Sequence, residues 1–175
     1  MTIPLEEIVS YPERQFMEET RGLSDPSARF YDINRLVLCR LTQTSNQLLI
    51  PWLLMSAVGY EIGLPILDDA TFDEIAQTIW VNRHDPDLQG HRHFAVAMSM
   101  FTDLGKATNS ALAWRKIPQI VFGAAAMRYY ITDLLSRDVV PNSLVLQAQP
   151  MSEISHKFLH FYTSLHTTQQ MELPL

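Results

Sequence analysis

Apolar side chains recur along this chain at steps of three and four residues, and no stretch sustains a two-residue alternation. After Asp25-Pro26, for example, the residues Phe30, Ile33, Val37 and Leu41 keep this spacing. Steps of three and four are the period of an α-helix with one buried face, whereas half-buried strands alternate at every second residue. The pattern therefore predicts an all-α protein.

Prolines and glycines set the boundaries of the predicted helices, because Pro suits the first turn of a helix and Gly suits the residue that ends one. Together with the periodicity, they predict helices over residues 10–21, 25–41, 51–62, 71–81, 85–104, 107–116, 118–136 and 150–168. The short connections favour a compact bundle of about six to eight helices. Residues 143–146 are the one candidate for a short strand or an extended connector.

Capping residues support several of these starts. Ser10 and Thr71 each stand three residues before a glutamate, which is the spacing of a capping box. Asp85 precedes Pro86, as an N-cap acid before a proline in the first helical position. Gly63 and Gly105 follow apolar helical segments and are predicted to end them.

The composition indicates one packed domain. A length of 175 residues fits a single domain over residues 1–175, with short frayed ends expected at 1–9 and 169–175. Hydrophobic residues make up 47% and charged residues 18%, which argues against disorder. Several helices are apolar on most faces, and the segment 85–104 is expected to be the central helix.

Charge and hydropathy restrict the functional class and the cellular location that we expect for the protein. The net charge of −6 and the scattered basic residues argue against a nucleic-acid-binding protein. The apolar stretch 48–67 is interrupted by Pro51, Glu61 and Pro65, so we expect a buried helix with an exposed Glu61 rather than a transmembrane span. The N-terminus lacks a signal peptide and Cys39 is the single cysteine, so we expect a soluble, cytoplasmic protein with a buried, unreactive thiol.

Six histidines raise the question of metal or acid–base chemistry. His84, Asp85 and His91 are weak candidates for metal ligands, with His93 close by in the chain. On a continuous helix, however, His91 and His93 would point about 160° apart. Helix capping and packing are therefore the favoured interpretation, with His93 as a core histidine, and we predict no metal site.

A second histidine pair lies in the last predicted helix. His156 and His160 are four residues apart, which is a common spacing of zinc ligands. Helical periodicity places them opposite the apolar side that contains Phe158, so we expect them on a solvated face.

A patch of small residues, 123–126, indicates close helix packing or space for a ligand. Met and aromatic side chains around it suit an adaptable apolar pocket, although they equally suit an ordinary core. The basic side chain beside the patch could contact the acidic end of an amphipathic ligand. The candidate ligand-binding residues are Trp114, Phe122, Met127, Arg128 and Tyr130, together with His93 and Met98 from the preceding segment.

No nucleotide-binding loop, dinucleotide fingerprint, nucleophile elbow or C-x-x-C motif is present, and the sequence identifies neither a catalytic residue nor a cofactor. The leading hypothesis is a non-catalytic helical binding module for an apolar or amphipathic small molecule or a partner helix. One alternative is a metal-dependent helical-bundle enzyme that uses His84, Asp85, His91 and His93. The second is a homodimeric regulatory or interaction protein. Whether the protein is an enzyme stays open at this point.

Overall fold

The computed structural model describes residues 19–20, 25–103, 105–107, 114–139 and 149–167. These residues form seven α-helices and a short 3-10 turn at Asn46–Leu48, which confirms the all-α prediction. The helices are α1 (Pro26–Thr42), α2 (Leu49–Glu61), α3 (Asp69–Val81), α4 (Pro86–Gln89), α5 (Phe94–Met98), α6 (Gln119–Ser136) and α7 (Gln149–Thr167).

The core lies between α2 and α6. Every residue of α2 from Trp52 to Gly59 is buried, and α6 packs against α1, α2 and α7. Phe122 and Tyr130 of α6 and Phe158 of α7 are among the largest fully buried side chains. The central helix is therefore α2, and the prediction that the segment 85–104 is central is wrong.

The segment 85–104 is not one helix. It begins as predicted, because the Asp85 carboxylate accepts a hydrogen bond from the Asp87 backbone N–H at 2.9 Å and Pro86 follows in the first helical position. The helix ends after a single turn, however, and residues 90–93 form a turn before the short helix α5 begins at Phe94.

Contacts with the 3-10 turn explain where this segment breaks. The Asp87 carboxylate accepts hydrogen bonds from Ser45 Oγ at 3.0 Å, Asn46 N at 3.0 Å and Gln47 Nε2 at 3.2 Å. A Cβ at Gly90 would stand 3.1 Å from Gln47 Nε2. These contacts fix the one-turn helix α4 against the residues that precede α2, and a tertiary contact of this kind overrides local helix propensity.

Most of the other boundaries follow the sequence. Asp25 caps α1, since its carboxylate accepts a hydrogen bond from Ser27 N at 2.9 Å. Gly63 takes a positive φ of 75° directly after α2, as predicted for a helix end. The predicted start of α3 is wrong by three residues, because Asp68 is the N-cap and accepts a hydrogen bond from Thr71 N at 2.7 Å.

A tight hairpin follows α5. Phe101 and Ala107 form an isolated antiparallel bridge, so no helix begins at Ala107, and most of the predicted helix 107–116 lies outside the described residues. Gly105 has a φ of 75° and lies so close to Trp80 that a Cβ would stand 2.4 Å from the indole nitrogen. The hairpin is therefore pressed against α3.

Two surface predictions have opposite outcomes. Glu61 is exposed at the end of the buried helix α2, as predicted. No helix in the described ranges is long and apolar enough to cross a membrane. Cys39 is exposed, and the prediction of a buried thiol is wrong. Ile33, Val37 and Leu38 occupy the buried side of α1, so the helical period directs Cys39 outward.

Some predictions fall almost entirely outside the described residues. They are the helix 10–21, the segment 143–146 and the frayed chain ends.

Candidate functional site

A cleft of about 180 Å³ lies between α2, the turn at residues 90–93 and the first half of α6. We call it the His cleft. Its basic side is formed by consecutive residues of the turn, namely His91, Arg92 and His93. Its apolar side is formed by residues of the two helices, namely Pro51, Met55, Ile120, Val121 and Ala124.

The turn brings the two imidazoles together. The ring centroids of His91 and His93 are 5.5 Å apart, whereas a continuous helix would have separated them. The prediction that they diverge is wrong, because the chain leaves the helix at Gly90. His93 is also half-buried at the cleft rather than a core residue.

Hydrogen bonds favour the neutral form of both imidazoles. His91 Nδ1 accepts from the His93 backbone N–H at 3.1 Å, and His93 Nε2 accepts from Arg92 Nε at 3.2 Å. A nitrogen that accepts a hydrogen bond carries no proton, so each ring donates through its other nitrogen. Burial, followed by the neighbouring His93 and Arg92, lowers the pKa of His91; burial and then Arg92 lower the pKa of His93.

Arg92 supplies the permanent positive charge of the cleft. Its side chain is exposed, and no carboxylate in the part of the chain that the structure describes forms an ion pair with it. Its Nε atom donates a hydrogen bond to His93 Nε2, which leaves the two terminal nitrogens without a hydrogen bond among the described residues. An unpaired guanidinium with free terminal nitrogens suits a carboxylate or phosphate group.

The apolar side of the cleft continues along the outer face of α6. Ile120 is 61% exposed and Met127 is 39% exposed, with Gly123 and Ala124 exposed between them. A Cβ placed on Gly123 would have no atom within 4 Å, so nothing in the described ranges covers this position. Exposed apolar side chains that adjoin one another mark binding surfaces more often than isolated ones do.

The structure separates the candidate ligand-binding residues. Trp114, Phe122 and Tyr130 are buried in the core, where the ring centroids of Trp114 and Phe161 are 5.9 Å apart. Met98 is half-buried and packs against the same core. His93 lines the His cleft, and Met127 lies on the apolar face that continues from it.

Arg128 belongs to a polar network instead. Its Nε atom donates to Thr132 Oγ1 at 3.1 Å, and the Thr132 hydroxyl donates to Asn34 Oδ1 at 2.7 Å. Asn34 in turn donates to the Ile66 carbonyl oxygen at 2.8 Å. Asn34 and Thr132 are fully buried, so the network links α1 and α6 to the loop after α2 and has a structural role.

Three of the other histidines, His84, His156 and His160, lie on exposed surfaces. His156 and His160 are exposed and lie opposite the fully buried Phe158, which confirms the prediction of a solvated face. His84 is exposed on the turn after α3. Within the described ranges, no three His, Cys, Asp or Glu side chains are grouped so that they could hold a metal ion.

Of the residues that line the cleft, His93 was named from the sequence as a candidate ligand-binding residue and His91 as a weak candidate metal ligand, and none of the others was named. Arg92 stands between two histidines, and this basic triplet directly after Gly90 was the available signal. Pro51, Met55 and Ile120 carry no local signal, because only the packing of α2 and α6 brings them to the turn.

Comparison of the chain with protein-family models, with characterised proteins and with solved structures finds no match.

Proposed function

We propose that this protein is a non-catalytic binding module for a small amphipathic anion, held in the His cleft with its acidic head beside Arg92 and its apolar chain along α6. The observation that carries the proposal is an arginine that forms no ion pair among the described residues, has a histidine on each side in the sequence, and lines a cleft beside an exposed apolar helix face. This is a narrower form of the leading sequence hypothesis.

The head group is inferred from the hydrogen-bond donors at the turn. The terminal nitrogens of Arg92 can donate to both oxygens of a carboxylate. His91 Nδ1 already accepts a hydrogen bond, so in the neutral ring the proton is on Nε2, which is a further donor. The chain as a whole has a net charge of −6, so attraction for an anion has to come from these local groups.

The apolar part is inferred from α6. Ile120, Ala124 and Met127 follow at steps of four and three residues, so they form one line on the helix surface. Covering about 100 Å² of such a surface contributes roughly 2.5 kcal/mol. This is a modest gain, and the proposal therefore predicts an affinity that depends strongly on the head group.

Isothermal titration calorimetry with three probes of equal chain length tests the proposal: octanoate, octan-1-ol and octylamine. We expect octanoate to bind most tightly and octylamine most weakly. Arg92→Gln should weaken octanoate about tenfold, since a charged hydrogen-bonded pair contributes about 1.5 kcal/mol. Arg40→Gln removes the same charge from an exposed residue of α1 outside the cleft, and octanoate should bind this control like the wild type.

Two results would contradict the proposal. One is equal binding of octanoate to the wild type and the Arg92→Gln variant. The other is no octanoate binding at millimolar concentration together with a dimer in light scattering. That second result would assign the apolar face of α6 to contact with another copy of the chain, in line with the homodimeric alternative.

A further inference from the structure

A second cavity, of about 240 Å³, lies on another face of α2, between this helix, α3 and the hairpin at residues 101–107. We call it the Ser56 cavity. Its apolar walls come from these three elements and from the loop that joins α2 to α3, and comprise Ala57, Leu67, Phe72 and Ala107. Its polar lining consists of Ser56, Tyr60, Asp69 and Asp73. None of these residues lines the His cleft.

The Ser56 hydroxyl indicates that the cavity accepts a polar ligand. The residue is 3% exposed, and its Oγ atom is buried without a hydrogen-bond partner among the described residues. A serine inside a helix can bond the carbonyl oxygen four residues earlier, but Ser56 does not do so here. A buried hydroxyl left unsatisfied is unfavourable by about 1–3 kcal/mol. Ser56 lines the cavity, but its Oγ atom has almost no accessible surface, so the side chain has to rotate about its Cα–Cβ bond before a ligand atom in the cavity can relieve this cost.

Two carboxylates give the cavity its charge. Asp69 and Asp73 are four residues apart on α3, so they lie on the same side of the helix, one turn apart. Both are exposed, and neither forms an ion pair within the described part of the chain. Like charges at this spacing repel each other, so a cation placed between them is stabilised by both.

Lys106 is the nearest competing cation in sequence, since it precedes the wall residue Ala107. It is exposed and forms no ion pair with Asp69 or Asp73. A metal ion would need further ligands, and no group of three suitable side chains occurs within the described ranges. Tyr60 adds an aromatic ring at the rim, which favours an organic cation.

We infer that the Ser56 cavity is a binding site for a small primary amine with an apolar body and a hydrogen-bonding group at the opposite end. The ammonium group lies at Asp69 and Asp73, the apolar body lies between Ala57 and Phe72, and the distal group bonds the Ser56 hydroxyl. This site is independent of the proposed anion site in residues, charge and ligand.

Titrations followed in ¹H–¹⁵N NMR spectra test this inference with three probes of similar shape: tyramine, phenethylamine and 3-phenylpropanoate. Tyramine carries an ammonium group and a distal hydroxyl, phenethylamine lacks the hydroxyl, and 3-phenylpropanoate carries the opposite charge. We expect tyramine to bind about fivefold more tightly than phenethylamine, which is the effect of one hydrogen bond. We expect 3-phenylpropanoate not to bind there.

Variants distinguish the two polar contacts. Asp73→Asn should weaken both amines about fivefold. Glu74→Gln removes a carboxylate from the adjacent exposed position of α3, outside the cavity, and should change neither affinity. Ser56→Ala should abolish the preference for tyramine over phenethylamine. It should also raise the melting temperature of the free protein by roughly 2–4 °C, because an unsatisfied hydroxyl is removed.

Several results would overturn the inference. They are the absence of amine binding to the folded wild type at millimolar concentration, equal effects of Asp73→Asn and Glu74→Gln, or an unchanged tyramine preference in Ser56→Ala. A melting temperature lowered by Ser56→Ala would show that the hydroxyl has a partner after all. None of these results bears on octanoate or Arg92, so the two proposals stand or fail separately.

Discussion

The His cleft and the Ser56 cavity border the same buried helix and have opposite charge. On one face of α2, Met55 meets a basic turn, and on another, Ser56 meets two carboxylates of α3. The helix itself contributes apolar surface and the hydroxyls of Ser56 and Tyr60 to these sites, whereas every group that is charged at neutral pH comes from neighbouring segments. The comparison shows that one buried helix can border two cavities, with the charge of each set by surface residues packed beside it.

The two sites also differ in how they are held in place. A glycine hairpin pressed on Trp80 positions the cavity wall at Ala107. The Asp87 carboxylate, which accepts hydrogen bonds from the 3-10 turn, positions the basic residues of the His cleft. Steric contact therefore supports one site and hydrogen bonds support the other, and each support can be removed separately.

The largest effect is expected for Gly105→Ala. Its positive φ strains any L residue, and the new methyl group would overlap the Trp80 indole, at 2.4 Å from Nε1. Together, the backbone strain and the overlap should lower the free energy of unfolding by about 3 kcal/mol, which corresponds to a melting temperature lower by roughly 10 °C. Thermal unfolding measures this, and tyramine binding should weaken more than octanoate binding.

Gly63→Ala is the matched control for this substitution. Gly63 has the same φ of 75°, but a Cβ there would meet no atom within 4 Å. We expect a loss of about 1 kcal/mol from backbone strain alone. Equal losses for the two variants would show that the contact between the hairpin and Trp80 does not contribute to stability.

The second-largest effect is expected when the hydrogen bonds that position the His cleft are removed. Asp87→Ala removes the acceptor of hydrogen bonds from Ser45, Asn46 and Gln47, and should cost about 1.5 kcal/mol in urea unfolding. Octanoate should bind more weakly because the basic turn is released, while tyramine binding stays unchanged. Glu153→Ala, on the exposed side of α7, should change stability by less than about 0.5 kcal/mol. A loss of tyramine binding in Asp87→Ala would refute the independence of the two sites.

The smallest effect is a pH dependence. The pKa of His91 is lowered in the folded protein, so the unfolded chain binds a proton more readily. The contribution of this group to stability is complete above about pH 6.5 and is lost as the pH falls toward the folded pKa. His91→Gln should therefore reduce the drop in melting temperature between pH 7.5 and pH 5. The exposed His156→Gln variant is the control, and a larger drop in His91→Gln would show that the sign is wrong.

Local signals in the sequence were sufficient for most of the fold. Asp25, Gly63 and Pro118 mark element boundaries that the structure reproduces, because capping and proline chemistry act within a few residues. The break at Gly90 was missed because its cause is the bond of Asp87 to residues some forty positions earlier. No local pattern encodes such a contact.

The sites were less predictable than the fold for the same reason. His93 was named as a candidate ligand-binding residue from the sequence, but its closeness to His91 depends on the break at Gly90, which was missed. Ser56 stands in an apolar helix, and the sequence around it does not mark it as a candidate. The proposal at Ser56 depends on the absence of a hydrogen-bond partner among the described residues, which only the packed structure reveals. Trp114, Phe122 and Tyr130 have the composition of a pocket yet form part of the core.

The most direct test of the account is to titrate one ¹⁵N-labelled sample with octanoate and then with tyramine. We predict two separate sets of shifted amides, with octanoate acting at residues 91–93 and 120–124 and tyramine at residues 56–60 and 69–73. The shifts from the first ligand should persist when the second is added. Both ligands shifting the same amides, or octanoate leaving residues 91–93 unchanged, would contradict the claim that two sites of opposite charge flank α2.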